Sequence, residues 1–304
     1  MSALSSSPPS LPPMVTTTYT YPSVPPLLLS HVPLLDDTAG NPNALTGLSV
    51  WKSTGLVLEV LPSLLPPSGP LSPARVLELG CGTGLTALFL LHYLRAQLPA
   101  SHVHVTDGDP KVVELLRSNI LQNDLPDDPR HTFSLGELIW GGPLPEGVGG
   151  GYGLVFGCDL LYSFGSAYKP NSENNCVGGE SGGADGLFST VRELLRAPAA
   201  GFVEPESGPA DGDPADEEYE HPTWEATAGY DGGYFLLGIT RRSVPIDLVI
   251  GSMRKAGLVY CGVVDDSVRD IFGNSTDGLT DFWSLCVMVA RVEGRRDEEG
   301  AAEK

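Results

Sequence analysis

The chain has 304 residues, 41% hydrophobic and 18% charged, with 38 acidic against 18 basic side chains and a formal net charge of −20. That length and apolar content suit one large α/β domain or two small ones. The charge argues against duplex nucleic acid as a partner, because phosphates demand clustered Lys and Arg. The five cysteines (Cys81, Cys158, Cys176, Cys261 and Cys286) form no CxxC pair and the six histidines are scattered, so no metal site is expected and a reduced, intracellular setting fits.

Taken in chain order, residues 1–17 are rich in Ser and Pro and read as a disordered tail. No Lys or Arg precedes Lys52, which argues against a secretory n-region or an Arg-rich transit peptide. Leu27-Leu28-Leu29 is too short to span a bilayer. The expectation is a cytoplasmic monomer with no membrane partner, nuclear entry left open. From Thr18 to Asp36 proline punctuates β-prone pieces at Tyr19–Tyr21, Leu27–Leu29 and Val32–Leu35, which predict a hairpin or edge strands.

Leu56–Leu65 predicts a helix ahead of the sheet. The pattern then alternates: strand Arg75–Leu79, helix Leu85–Leu98, strand His102–Thr106, and helix Lys111–Gln122 with an apolar face of Val112, Val113, Leu115, Leu116 and Ile120. After a loop come strand Tyr152–Phe156, helix Gly186–Leu195, strand Tyr234–Thr240, helix Pro245–Ala256 and strands Leu258–Val264 and Phe282–Arg291. Such alternation implies a mostly parallel sheet with helices on both faces. Residues 18–66 read as N-terminal elements packed on a cofactor site, 67–163 and 234–292 as the two halves of the sheet domain, and 293–304 as a charged tail. The stretch 164–233 reads as a largely disordered insertion around one helix: Gly165–Ala184 is rich in Gly, Ser and Asn, and Glu204–Asp231 carries ten acidic residues and no Lys or Arg.

The segment Val76-Leu-Glu-Leu-Gly-Cys-Gly-Thr-Gly-Leu85 carries most of the chemistry. An apolar run ends in Gly80-x-Gly82-x-Gly84 and a helix follows, the layout of a nucleotide cradle. A dinucleotide fingerprint wants glycine where Leu85 stands, and a phosphate-binding loop would close on Gly-Lys-Ser/Thr, which is absent. An acid two places before the first glycine, here Glu78, fits the S-adenosylmethionine (SAM) site of class I methyltransferases. The next strand ends at Asp107-Gly-Asp109, placing an acid where ribose hydroxyls would donate hydrogen bonds. Asp107 is the first candidate. Asp109, followed by Pro110, also reads as a helix N-cap.

In order, Gly47–Trp51, Val76–Gly84, Val105–Asp107, Leu116–Asn119, Leu138–Gly141 and Cys158-Asp159-Leu-Leu-Tyr162 resemble the seven-β-strand protein-lysine methyltransferases. The resemblance implies a Rossmann-like seven-stranded α/β sheet with an antiparallel final strand, SAM as cofactor, and a protein substrate presenting a lysine. It implies that Gly80, Gly82 and Gly84 line the methionine and ribose portions, and that Asp107 holds the ribose. Trp140 would flank the adenine, and Trp51 would close over the cofactor. Asp159 and Tyr162 would sit where the target amine meets the methyl group. Thr106–Asp109 and Thr240–Arg242 look most like the elongation factor 2 branch.

Methyl transfer to an amine needs that amine neutral. A lysine with a pKa of about 10.4 must therefore be deprotonated and held about 3 Å from the methyl carbon. Two alternatives stay open: a methyltransferase acting on a small molecule or on another residue type, and a SAM-fold interaction protein without turnover.

Overall fold

The computed structural model describes residues 13–33, 46–66, 69–71, 73–125, 128–161, 183–200, 202, 225–227, 229–241, 246–265 and 284–292. Residues 1–12 of the expected tail 1–17, the expected tail 293–304 and most of the acidic insertion lie outside them.

Two strands, β1 (Val15–Tyr19) and β2 (Leu27–His31), form an antiparallel hairpin ahead of the main sheet. The hairpin begins earlier than the residue-17 boundary expected for a disordered tail. Val15-Thr-Thr-Thr-Tyr19 is β-branched and aromatic, and pairing with β2 outweighs the polar composition around it. A 3-10 turn over Thr46–Leu48 leads into α1 (Lys52–Leu64), which starts four residues ahead of the expected helix.

The sheet is then built by β3 (Arg75–Glu78), α2 (Leu85–Gln97), β4 (Ser101–Asp107), α3 (Pro110–Gln122), β5 (His131–Glu137), β6 (Leu154–Cys158), α4 (Ala184–Leu194), β7 (Tyr234–Arg241), α5 (Ile246–Lys255), β8 (Leu258–Asp265) and β9 (Ser284–Val292). Its order is β5-β4-β3-β6-β7-β9-β8, with β9 antiparallel to both neighbours and the other pairings parallel. This is the seven-stranded sheet that the resemblance implies. β5 had no counterpart among the elements read from local pattern. It is an edge strand whose residues are mostly exposed or half-buried, so no apolar run marks it.

Alternation along the strands divides the core in two. Val76, Val103, Val105, Leu154, Phe156 and Leu236 face a layer made by the hairpin, α1, α2 and α3. Leu77, Leu79, Val155, Phe235 and Leu237 face α4 and α5. Part of the expected insertion is packed rather than loose. Phe202 and Tyr230 meet edge-on at 5.1 Å, Tyr230 meets Tyr234 of β7 at the same distance, and the Arg291 guanidinium lies 4.9 Å from the Tyr230 ring.

The order in which strands are added to the sheet reverses between β3 and β6: β4 and β5 extend to one side, β6 and β7 to the other. In open α/β sheets that switch point, at the carboxyl ends of the strands, is where a ligand crevice forms.

Candidate functional site: an acidic glycine cradle at the switch point

The loop after β3 sits at this point. Gly80, Gly82 and Gly84 have φ of +58°, +52° and +84°, a left-handed run that favours glycine. The end of β4 straps the loop down. The Cys81 N–H donates to the Thr106 carbonyl at 2.9 Å, the Gly82 N–H donates to Asp107 Oδ2 at 3.1 Å, and the Thr106 hydroxyl donates to the Glu78 carbonyl at 2.7 Å. Asp107 Oδ1 accepts from the Asp109 N–H at 3.0 Å. Asp109 caps α3 through the Lys111 N–H, its other expected role.

Ser49, Trp51, Thr54, Glu78, Gly80, Gly82, Thr83, Leu85, Thr86 and the two cysteines Cys81 and Cys158 line the crevice above this loop. None of them is Lys or Arg. Glu78 is only 2% exposed, and its Oε2 has no hydrogen-bond partner. Burial pushes its carboxyl well above the usual range. A Thr86 hydroxyl bond pulls the other way, and the nearby Asp107 pushes further up. Asp107 is also raised, chiefly by burial and against the pull of the N–H groups that it accepts from. The Cys81 and Cys158 thiols are raised by burial and by these carboxylates, Asp159 included for Cys158.

The structure brings Trp51, Glu78, Gly80 and Gly82 together on the crevice wall. The other expected residues surround it. Gly84 caps α2, and a Cβ there would strike Leu116 of α3, so this glycine serves helix packing. Asp107 anchors the loop from below. Trp140 lies beside Gly80, whose added Cβ would come within 3.4 Å of the Trp140 ring. Asp159 follows β6 with φ of +51°, and its N–H donates to the Gly238 carbonyl of β7 at 2.7 Å. That is a costly conformation for a non-glycine residue and one often found at working sites. Tyr162 lies outside the described residues.

Sequence reasoning missed Ser49, Thr54, Thr83, Thr86 and Cys158 as lining residues. Thr86, on the first turn of the helix after the glycine loop, had a signal of position. Cys158 read only as a small hydrophobe.

A Rossmann-like sheet with a Gly-x-Gly-x-Gly cradle and an acid at each of the first two strand ends defines the class I methyltransferases, whose methyl donor is SAM. The residues present fit that group. An unpartnered buried carboxylate oxygen faces a crevice whose described lining residues include no Lys or Arg, suited to a ligand carrying an ammonium and a sulfonium.

Residues 40–169 match the family model described as lysine methyltransferase. Over 88 residues the chain is 36% identical to protein N-lysine methyltransferase METTL21A of Danio rerio, covering 29% of this chain and 37% of the relative. Over 139 residues it is 34% identical to protein-lysine N-methyltransferase EFM3 of Chaetomium thermophilum, covering 43% and 39%. The chain thus spans about two fifths of the length of these relatives. Among solved structures, the glycopeptide N-methyltransferase MtfA aligns at 15% identity with a TM-score of 0.43, over 79% of this chain and 90% of that one. No helix among the described residues is long and apolar enough to cross a membrane, and no group of potential metal ligands occurs among them.

Proposed function

We propose that the chain is a SAM-dependent protein-lysine methyltransferase. The observation that carries the reading is the charge of the cradle. Glu78 and Asp107 act together on Cys81, Glu78 and Asp159 on Cys158, and none of the described residues that line the crevice is Lys or Arg. A dinucleotide would bring its anionic pyrophosphate against these carboxylates, whereas SAM brings positive charge.

When bound, SAM supplies an electrophilic methyl group. Glu78 Oε2 would accept from its α-amino group, the Gly80–Gly82 backbone would carry its methionine portion, and Trp51 and Trp140 would flank it. Asp107 would take the ribose. Asp159 would orient the acceptor amine, Tyr162 is proposed as its companion from the Asp159-x-x-Tyr162 motif alone, and the lysine proton would leave to water rather than to a dedicated base. The substrate class we favour is a translation factor, elongation factor 2 first, then a chaperone. It rests on the Thr106-Asp-Gly-Asp109 and Thr240-Arg-Arg242 wording. Cysteine usage supports a cytoplasmic setting, and we take the monomer as the working state.

The test is transfer from tritiated SAM, by the purified chain, into a lysate of cells lacking the gene. A labelled band, mapped to methyl-lysine by mass spectrometry, is the expected result. The absence of any labelled protein would sink the protein-substrate reading. Calorimetry showing tight NAD binding without SAM binding would overturn the cofactor.

A further inference from the structure

A second cavity, of about 300 Å³, lies beside the cradle and shares Trp51 and Leu85 with it. Tyr19, Tyr21 and His31 of the hairpin region, with Val50 and Gly55, complete its wall. That volume is at the small end of ligand sites, and an aromatic lining is what such sites use to hold a cation.

The rings are held in place. Tyr21 packs edge-on against Phe89 at 5.7 Å, and Tyr19 tilts against His31 at 6.2 Å. His31 Nδ1 donates to the Val32 carbonyl at 3.2 Å. Exposed Glu59, one turn along α1 from Gly55, acts electrostatically on the Tyr21 phenol. Its negative charge matches a cationic guest.

Gly55 is the second, independent observation. It lies inside α1, where glycine is disfavoured, and no described neighbour requires it: among the described residues a Cβ built there meets nothing within 4 Å. It lines the larger cavity and not the cradle. A glycine that no packing demands, on the wall of an aromatic cavity, keeps that cavity open.

We infer that this cleft seats a basic side chain of the protein substrate, one flanking the acceptor lysine, with its ammonium against the rings of Tyr19, Tyr21 and Trp51. The inference rests on the methyltransferase reading above. It also distinguishes two positions. The attacking amine must be neutral, whereas facing aromatic rings favours the charged ammonium. The cleft is therefore a recognition slot next to the reaction centre, not the place of transfer.

The experiment is calorimetry on the full chain with Nα-acetyl-lysine methylamide and its norleucine counterpart, and separately with SAM. The lysine probe binds, and the norleucine probe binds about tenfold more weakly or not at all. Gly55→Leu, which projects into open space, weakens the lysine probe by about tenfold or more while SAM affinity stays within about twofold. Tyr21→Phe keeps the probe and Tyr21→Leu loses it, because the ring face is what binds. Equal binding of norleucine, or an unchanged lysine affinity in Gly55→Leu, overturns the inference. A parallel loss of SAM affinity in Gly55→Leu assigns the space to the cofactor and overturns it too. Failure of the native chain to bind SAM is a different result: it removes the functional reading, and the lysine titration still decides what the cleft binds.

Discussion

Replacing Asn119 by Ala will loosen the N-terminal hairpin from the domain. Asn119 is fully buried on α3, and its amide completes three hydrogen bonds. Oδ1 accepts from the Ser30 N–H at 2.9 Å, and Nδ2 donates to the Ser30 carbonyl at 3.1 Å and to the Thr83 carbonyl at 2.8 Å. One turn on, Asn123 treats Leu28 in the same way, at 2.8 and 2.7 Å. Two side-chain amides thus pair with alternate residues of β2 along the edge that β1 leaves open, in place of a third strand. At about 1 kcal/mol net per bond, Asn119→Ala should cost about 3 kcal/mol. Water at half-buried Ser30 returns part of that, and the orphaned Thr83 carbonyl adds to it. In a domain of this size the loss corresponds to about 6–12 °C in Tm. Urea unfolding followed by circular dichroism measures it, and limited proteolysis reads release of the hairpin. Asn119→Asp, which keeps the acceptor for Ser30 but loses both donors, should also be destabilised and should show the same proteolysis. A cost below about 1 kcal/mol for Asn119→Ala, with the hairpin still protected, would refute the reasoning, since water would then be replacing all three bonds.

Glu78→Gln should weaken SAM binding by about tenfold to a hundredfold, the worth of a charge-assisted hydrogen bond, as read by calorimetry. The same substitution should raise the ligand-free Tm at neutral pH. A carboxyl raised in the folded state adds stability below its unfolded pKa and loses it as pH rises towards the folded one, so the native protein should lose stability from about pH 4 upward relative to Glu78→Gln; identical Tm–pH curves would contradict this. Asp159→Gly relieves a left-handed backbone at φ +51° and should stabilise the chain by about 1 kcal/mol while abolishing transfer and sparing SAM binding; unchanged turnover in the tritium assay would remove Asp159 from the chemistry. Gly84→Ala, at φ +84° and against Leu116, should cost about 2–3 kcal/mol in thermal unfolding, and Leu116→Ala should recover part of it in the double variant; simple additivity of the two would show that they do not interact.

What was legible in the sequence followed local rules. β3, its glycine loop and α2 stand out because an apolar run, three glycines and an apolar helix are consecutive. Asp107 and Asp159 could be named because strand ends can be read from the pattern. β5 was hidden by its place at the sheet edge, where Phe133 is 39% exposed and the neighbouring positions are polar. Val15–Tyr19 was hidden by the Ser/Pro composition before it. The lining threonines were hidden because nothing local separates a threonine that caps, packs or binds. The aromatic cleft could not be read from any window, since Tyr19, Tyr21, His31 and Trp51 meet only after Asn119 and Asn123 have fixed the hairpin on α3.

The glycine loop alone does not choose its ligand, because any nucleotide profits from backbone that can approach closely. The choice lies in what surrounds the loop. A buried acid with an unpartnered oxygen is a cost to the folded chain, and Asp107 within electrostatic reach raises that cost. A cation in the crevice would offset it and an anion would add to it. The hairpin and α1 extend the same preference outward: the aromatic rings of the cleft and exposed Glu59 of α1 also favour positive charge. Cofactor cradle and adjoining cleft would therefore both favour cations side by side, as the proposed transfer from a sulfonium to a basic segment of a protein requires.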